Sequence, residues 1–124
     1  MRRLDINIPI YDWKVIVATI YDKNDDKEIL ALSNLYDFDI KDTIDNIKDE
    51  ETNWGLTTTN KKVTLMVVGK WENDRQMHNT INHELFHVVS HISEICGLED
   101  EEAMAYLAGY IGEEIYINLD KLRY

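Results

Sequence analysis

The chain has 124 residues, 44% of them hydrophobic, and a formal net charge of -11 at pH 7. This length fits one domain with one core, so we expect a single domain over residues 1–124. The acidic balance disfavours nucleic acid and anionic membrane surfaces as partners, because both are negatively charged. No pattern typical of a signal peptide begins the chain and no apolar run is long enough to span a bilayer, so a cytoplasmic location is expected.

The chain has one cysteine, Cys96, which lies in an apolar helical pattern. A lone cysteine cannot form an internal disulfide and is typical of a buried position in a protein from a reducing compartment. We therefore expect Cys96 to be part of the core.

The first half of the chain predicts a strand followed by helix. Residues 13–21 are rich in β-branched and aromatic side chains and end at a polar, turn-like cluster. Residues 27–36 place apolar side chains at helical spacing, and Ile40, Ile44 and Ile47 continue a narrower apolar stripe. One kinked helix or two short helices would both fit this pattern.

The middle of the chain predicts a β-hairpin. Residues 54–59 and residues 63–68 are β-prone segments that flank Asn60-Lys61-Lys62, which indicates a short turn between two strands. Together with the strand at residues 13–21, the expected sheet has about three strands and is mostly antiparallel. The predicted fold class is therefore α+β, with this sheet packed on an active-site helix and further helices.

Two helices are expected after the hairpin. Asn73 with Gln76 three residues later resembles an N-cap with its reciprocal partner, and Gly97 is typical of a helix stop. These signals predict a long helix over about residues 74–96. A last helix is expected to open at Asp100-Glu101-Glu102 and to reach about residue 116.

The long helix contains the segment His83-Glu84-Leu85-Phe86-His87. Residues four apart on a helix lie about 40° from each other around the axis and roughly 6 Å along it, so the two histidines can bind one ion. Glu84 is rotated by about 100° from His83, which suits a general base that acts on water beside a metal. An apolar stripe on the opposite side predicts a buried back and a motif that lines a cleft; it consists of Ile81, Leu85, Val88, Val89, Ile92, Ile95 and Cys96.

The third metal ligand decides the class of site. A metzincin would need glycine and histidine where this chain has Ser90 and Ser93. His91 would crowd the open coordination position that catalysis needs, so we expect it to support the ligands or face solvent. His78 is expected to be a surface or packing residue.

A glutamate from the last helix is the alternative ligand, and Glu102 is best placed. The apolar residues of that helix fall on its far side, while Tyr106 and Glu113 share the face of Glu102. Glu101 and Glu113 are weaker alternatives. Acidic residues are also favoured at any helix N-terminus, so Glu101 and Glu102 could be structural only.

Three blocks of the chain resemble the small zincin-like metallopeptidases encoded by bacteriophages and prophages, with gluzincin-type ligation. The blocks lie between residues 54 and 116 and are Trp54-Gly55-Leu56-Thr57, Asn82 to Val89, and Glu101 to Tyr110. The resemblance implies a zinc-dependent peptidase, with Zn²⁺ on His83, His87 and Glu102 and with Glu84 as general base. It also implies limited cleavage of a particular phage or host protein.

The resemblance implies further roles that the residues alone do not. A peptide or protein substrate would lie antiparallel to an edge strand beside the cleft, and Val63–Val68 is the natural candidate. Tyr106, His91 and Tyr110 are candidates to support the metal site or to stabilise the transition state; Tyr116 and His78 are further candidates for the second role. The competing hypotheses are a non-catalytic metal-binding or protein-interaction module on this scaffold, and a structural domain whose histidines bind no metal.

Overall fold

The computed structural model of the protein describes residues 1–47 and 51–124. These residues form a four-stranded mixed sheet with helices on both faces, which confirms the α+β fold class. The strands are β1 (Arg2–Ile8), β2 (Trp13–Thr19), β3 (Gly55–Asn60) and β4 (Val63–Val68). The helices are α1 (Asp26–Tyr36), α2 (Lys41–Asp45), α3 (Asp74–Cys96) and α4 (Glu101–Ile117).

The strand order in the sheet is β1-β2-β4-β3. β1 pairs antiparallel with β2 and β3 pairs antiparallel with β4, so the sheet is mostly antiparallel as expected, but β2 and β4 are parallel. β1 is a fourth strand that the sequence analysis missed. Its signal was the alternation of buried Leu4, Ile6 and Ile8 with exposed polar residues, which is typical of a strand with one buried face.

β4 lies inside the sheet, and this position corrects one prediction. Val63–Val68 pairs with β2 on one side and with β3 on the other, so it cannot be the edge strand that receives a substrate. The edges of the sheet are β1 and β3. The reason is the parallel crossover after β2, which returns the chain beside β2 and makes the second strand of the hairpin internal.

Local signals place the helix ends close to where the sequence predicts them. α1 ends at Tyr36 and is capped by Asp37, which has φ 59°, so the apolar pattern of residues 27–47 forms two helices instead of one kinked helix. The Asn73 side chain accepts a hydrogen bond from the Gln76 backbone, and Gly97, with φ 70°, ends α3. The Gln76 side chain accepts from the backbone of Glu72, one residue before the expected partner.

Alternation along the strands divides the core between the two faces of the sheet. α1 and α2 cover the face that carries Ile16 and Leu65. α3 and α4 cover the face that carries Val17 and Met66, with α3 over β3 and β4 and with α4 towards β1. α3 therefore lies near one edge of the sheet, at β3, and α4 lies near the other edge, at β1.

The end of α3 departs from the predicted core. Cys96 is exposed and Ile95 is 58% exposed, so the prediction that both are buried is wrong. A helix of 23 residues is about 34 Å long, whereas six-residue strands span roughly 20 Å. The last turn of α3 therefore extends beyond the sheet, and Ile95 and Cys96 stay exposed there. Separately, no helix of the described ranges is both long and apolar enough to cross a membrane.

Candidate metal centre

The two motif histidines point their ring nitrogens at each other across one turn of α3. The Nε2 atoms of His83 and His87 are 3.3 Å apart, and their ring centroids are 4.9 Å apart with planes at 71°. A tetrahedral zinc ion with bonds of about 2.05 Å holds two nitrogens roughly 3.3–3.4 Å from each other. A direct hydrogen bond from a ring N–H is usually shorter, at about 2.7–3.2 Å. The separation therefore suits two ligands of one ion, and it also lies within hydrogen-bonding distance for the two rings.

The carboxylate of Glu84 lies beside this pair and is only 5% exposed. Its Oε1 accepts a hydrogen bond of 2.8 Å from the Thr57 hydroxyl on β3, and its Oε2 lies 3.7 Å from His83 Nε2. The candidate ligand atoms of His83, Glu84 and His87 all lie within 4.8 Å of one another. One carboxylate oxygen is thus held by the sheet while the other faces the histidines.

Gly55 at the start of β3 allows Glu84 to occupy this position. A Cβ at residue 55 would lie 2.6 Å from Glu84 Cγ and 2.8 Å from Thr80 Cγ2, both closer than atoms pack. Thr80 is in turn held by a hydrogen bond of 3.1 Å to the Asn53 side chain. Residue patterns in the sequence indicate no catalytic or metal-binding role for Gly55 or Thr57. A glycine inside a β-branched strand is the signal for such a close approach.

His83 and Glu84 of the motif border a cleft of about 410 Å³ between α3 and the start of β3, which we call the α3–β3 cleft. Gly69 leaves room for the Trp54 ring that forms one wall, since a Cβ there would lie 2.2 Å from that ring. A cleft is therefore present beside the motif as predicted, with His83 and Glu84 in its lining but without His87. The cleft is lined by Asn53, Trp54, Gly55, Asn79, Thr80, His83 and Glu84.

His91 belongs to a chain of hydrogen bonds that crosses the sheet. The Trp13 indole donates to the Thr64 hydroxyl at 3.0 Å, the Thr64 and Thr59 hydroxyls are 2.8 Å apart, and Thr59 Oγ1 is 2.9 Å from His91 Nδ1. An indole N–H can only donate. Each polar atom in this series of hydrogen bonds therefore has a partner if Thr64 donates to Thr59 and Thr59 donates to His91. The neutral ring then carries its hydrogen on Nε2, which disfavours His91 as a metal ligand.

The structure does not bring Glu102 to the motif histidines. Glu102 lines a separate groove on α4 together with Tyr106, Tyr110 and Glu113. α4 lies towards β1 and Glu84 contacts β3, and these edges are three strand spacings, about 14 Å, apart. Within the described ranges, no further His, Cys, Asp or Glu side chain joins the group of His83, Glu84 and His87.

The other candidate residues on α3 and α4 also lie away from the α3–β3 cleft. His78 packs edge-on against Tyr116 with ring centroids 5.5 Å apart, which confirms its predicted packing role. Burial raises the pKa of Tyr116, although its hydrogen bond with Asn82 opposes the rise. Tyr110 donates a hydrogen bond to a β1 carbonyl, and Tyr106 is 75% exposed. None of these four side chains lines the α3–β3 cleft.

Comparison with protein-family models, with curated proteins and with solved structures found no match to this chain. We therefore infer function from the side chains of the α3–β3 cleft and from their geometry.

Proposed function

We propose that the chain is a zinc-dependent peptidase that hydrolyses peptide bonds at the α3–β3 cleft. The observation that carries this proposal is the 3.3 Å separation of the His83 and His87 Nε2 atoms beside the buried carboxylate of Glu84. Two imidazoles spaced four residues apart on a helix, with a glutamate after the first, have the donor types and positions that catalytic zinc sites use.

His83 and His87 would hold the ion. Bound there, zinc would supply a Lewis acid that polarises a carbonyl group and lowers the pKa of water. The proposed ligand set no longer includes Glu102, because α4 covers the other edge of the sheet. His83 is exposed and His87 is partly exposed, so a substrate can reach both rings without a rearrangement of the core.

Glu84 is proposed as the general base. Thr57 holds Oε1, which leaves Oε2 on the histidine side to accept a proton from water and to pass it to the leaving amine. The carboxylate cannot swing into solvent without breaking this hydrogen bond. Gly55 and Thr57 are thus positioning residues that act through Glu84.

A peptide substrate is proposed to lie along β3. The Gly69 backbone donates to the Trp54 carbonyl, so alternation along an antiparallel pair directs the backbone groups of Gly55, Thr57 and Thr59 away from β4. These N–H and C=O groups are free to pair with an extended peptide. Because Thr57 also contacts Glu84, such a peptide would pass beside the carboxylate.

The test compares single variants of the motif. Glu84→Gln is expected to retain zinc and to lose hydrolysis of a peptide library followed by mass spectrometry, whereas His87→Gln is expected to lose both. Glu94→Gln changes an exposed glutamate on the same helix and is the matched control. Unchanged hydrolysis by Glu84→Gln, or less than about 0.2 zinc per chain in untagged wild-type protein, would contradict the proposal.

A non-catalytic metal-binding module is the second candidate, and one observation favours it. Among the described residues, Glu84 is the only carboxylate grouped with the two histidines, so it could be a third ligand instead of a base. Zinc affinity of Glu84→Gln separates the two functions. A loss of tenfold or more supports the module, and retained affinity supports the peptidase.

A further inference from the structure

A second surface lies on the β1 side of the molecule and is unrelated to the motif. It is an apolar groove of about 660 Å³ between residues 8–11 and α4. Ile10 is 82% exposed and Tyr106 is 75% exposed, and both line this groove together with Leu107 and Tyr110. Large apolar side chains exposed side by side are typical of interaction sites.

The walls of this groove are held in place by the fold. Pro9 opens a 3₁₀ turn after β1, and Asp12, with φ 51°, ends it. The Tyr110 hydroxyl donates a hydrogen bond of 2.9 Å to the Asn7 carbonyl, which ties α4 to the end of β1. The exposure of Ile10 is therefore a property of an ordered turn between two fixed elements.

An acidic rim adjoins the apolar groove. Tyr106 and Tyr110 also line the neighbouring groove on α4, where Glu102 and Glu113 stand at the two ends. Neither glutamate forms an ion pair with any cation of the described residues. The two tyrosines thus separate an apolar floor from two unpaired carboxylates, which lie about 16 Å apart along the helix.

We propose that this surface binds a basic amphipathic helix of a partner protein. Apolar side chains of such a helix would fill the groove, and its lysines or arginines would pass over Tyr106 and Tyr110 to Glu102 and Glu113. Two basic residues eleven positions apart on the partner helix span the same 16 Å. The proposal does not depend on the metal centre.

The acidic charge favours a basic helix over a second copy of the chain, nucleic acid or anionic lipid. The chain carries a net charge of -11, so a second copy would set the same acidic rim against itself. Nucleic acid and anionic lipid are repelled for the same reason. A partner helix with a cationic edge is attracted by the rim and is held by the apolar floor.

The probe is a fluorescent 18-residue amphipathic helix of leucine and lysine, titrated with the full chain while anisotropy is recorded. The matched probes are a leucine–glutamate helix of the same pattern and a scrambled leucine–lysine peptide. Only the amphipathic basic helix is expected to bind in the micromolar range. Absence of binding at 200 µM protein, or equal binding of the scrambled peptide, would overturn the proposal.

Variants locate the site. Ile10→Ser and Tyr106→Ser are each expected to raise the Kd at least tenfold, and the Glu102→Gln, Glu113→Gln double variant at least threefold. Leu35→Ser removes an equally exposed apolar side chain (74%) from α1 and is expected to leave the Kd unchanged. Equal weakening by Leu35→Ser would overturn the proposal, as would a dimer of the free chain that dissociates in Ile10→Ser.

Discussion

Gly55→Ala tests how the sheet positions Glu84. The added Cβ would lie 2.6 Å from Glu84 Cγ, 2.9 Å from Glu84 Cδ and 2.8 Å from Thr80 Cγ2. Ordinary contact begins at about 3.4 Å, so Glu84 must move by roughly 0.8 Å and Thr80 by roughly 0.6 Å. Thr80 is hydrogen-bonded to Asn53, and Glu84 is hydrogen-bonded to Thr57. The substitution therefore requires at least one of these hydrogen bonds to break or α3 to move away from β3.

The loss in free energy of unfolding follows from two effects at this contact. Overpacking costs about 1–3 kcal/mol, and loss of a hydrogen bond to a charged group such as this carboxylate costs about 1.5–3 kcal/mol more. Reduced freedom of the unfolded chain offsets under about 1 kcal/mol. We expect Gly55→Ala to lower the free energy of unfolding by about 2–5 kcal/mol. A shift of Glu84 by nearly 1 Å is also expected to reduce hydrolysis roughly 100-fold.

Urea unfolding followed by circular dichroism measures the first effect. Gly109→Ala is the matched control, because a Cβ at this helical glycine meets nothing within 4 Å. It is expected to stabilise the protein by about 0.5–1 kcal/mol. Zinc content should be the same in both variants, since neither substitution removes His83 or His87. A Gly55→Ala protein as stable and as active as wild type would refute the packing argument.

Three further predictions concern residues outside that contact. Glu102→Gln is expected to leave zinc affinity, measured by competition with a chromogenic chelator, within about threefold; a tenfold loss would place Glu102 among the ligands. Thr59→Val is expected to move the ring hydrogen of neutral His91 from Nε2 towards Nδ1, and unchanged ring ¹⁵N shifts would contradict the proposed direction of the hydrogen bonds. Burial opposes the charge of the Met1 α-amino group, but its hydrogen bonds to Asp25 and Glu28 raise its pKa above 8.0. That contribution to stability is complete below about pH 8 and is lost as the pH rises through the raised pKa, so N-terminal acetylation should flatten the alkaline decline of the unfolding free energy; an unaltered decline would argue against it.

Local features of the sequence were sufficient to predict the helix that carries the motif. Asn73 and Gly97 act on their own turns of backbone, and the spacing of His83 and His87 is a property of any α-helix. The polar face of α4 is likewise set by its own periodicity, which places Leu107 and Ile111 in the core and Glu102 in solvent.

Sheet order could not be derived in the same way. The pairing of β2 with β4 joins residues about 49 positions apart, and no local pattern states which strand will be internal. The alternation of apolar and polar residues in β1 is visible in the sequence. Its pairing with β2 is not, and this pairing adds the part of the sheet that α4 contacts. The prediction of Val63–Val68 as the edge failed for this reason.

The sequence by itself therefore determined the chemistry of α3. This helix has a capped N-terminus and carries two histidines and a glutamate at helical spacing. Only the tertiary structure decided that β3 lies beside these side chains and that Glu102 does not. β3 reaches Glu84 through Thr57 and Gly55, because it is the edge strand under α3. Glu102 lies on a different surface, because α4 packs towards β1 and pairing between distant strands sets the width of the sheet.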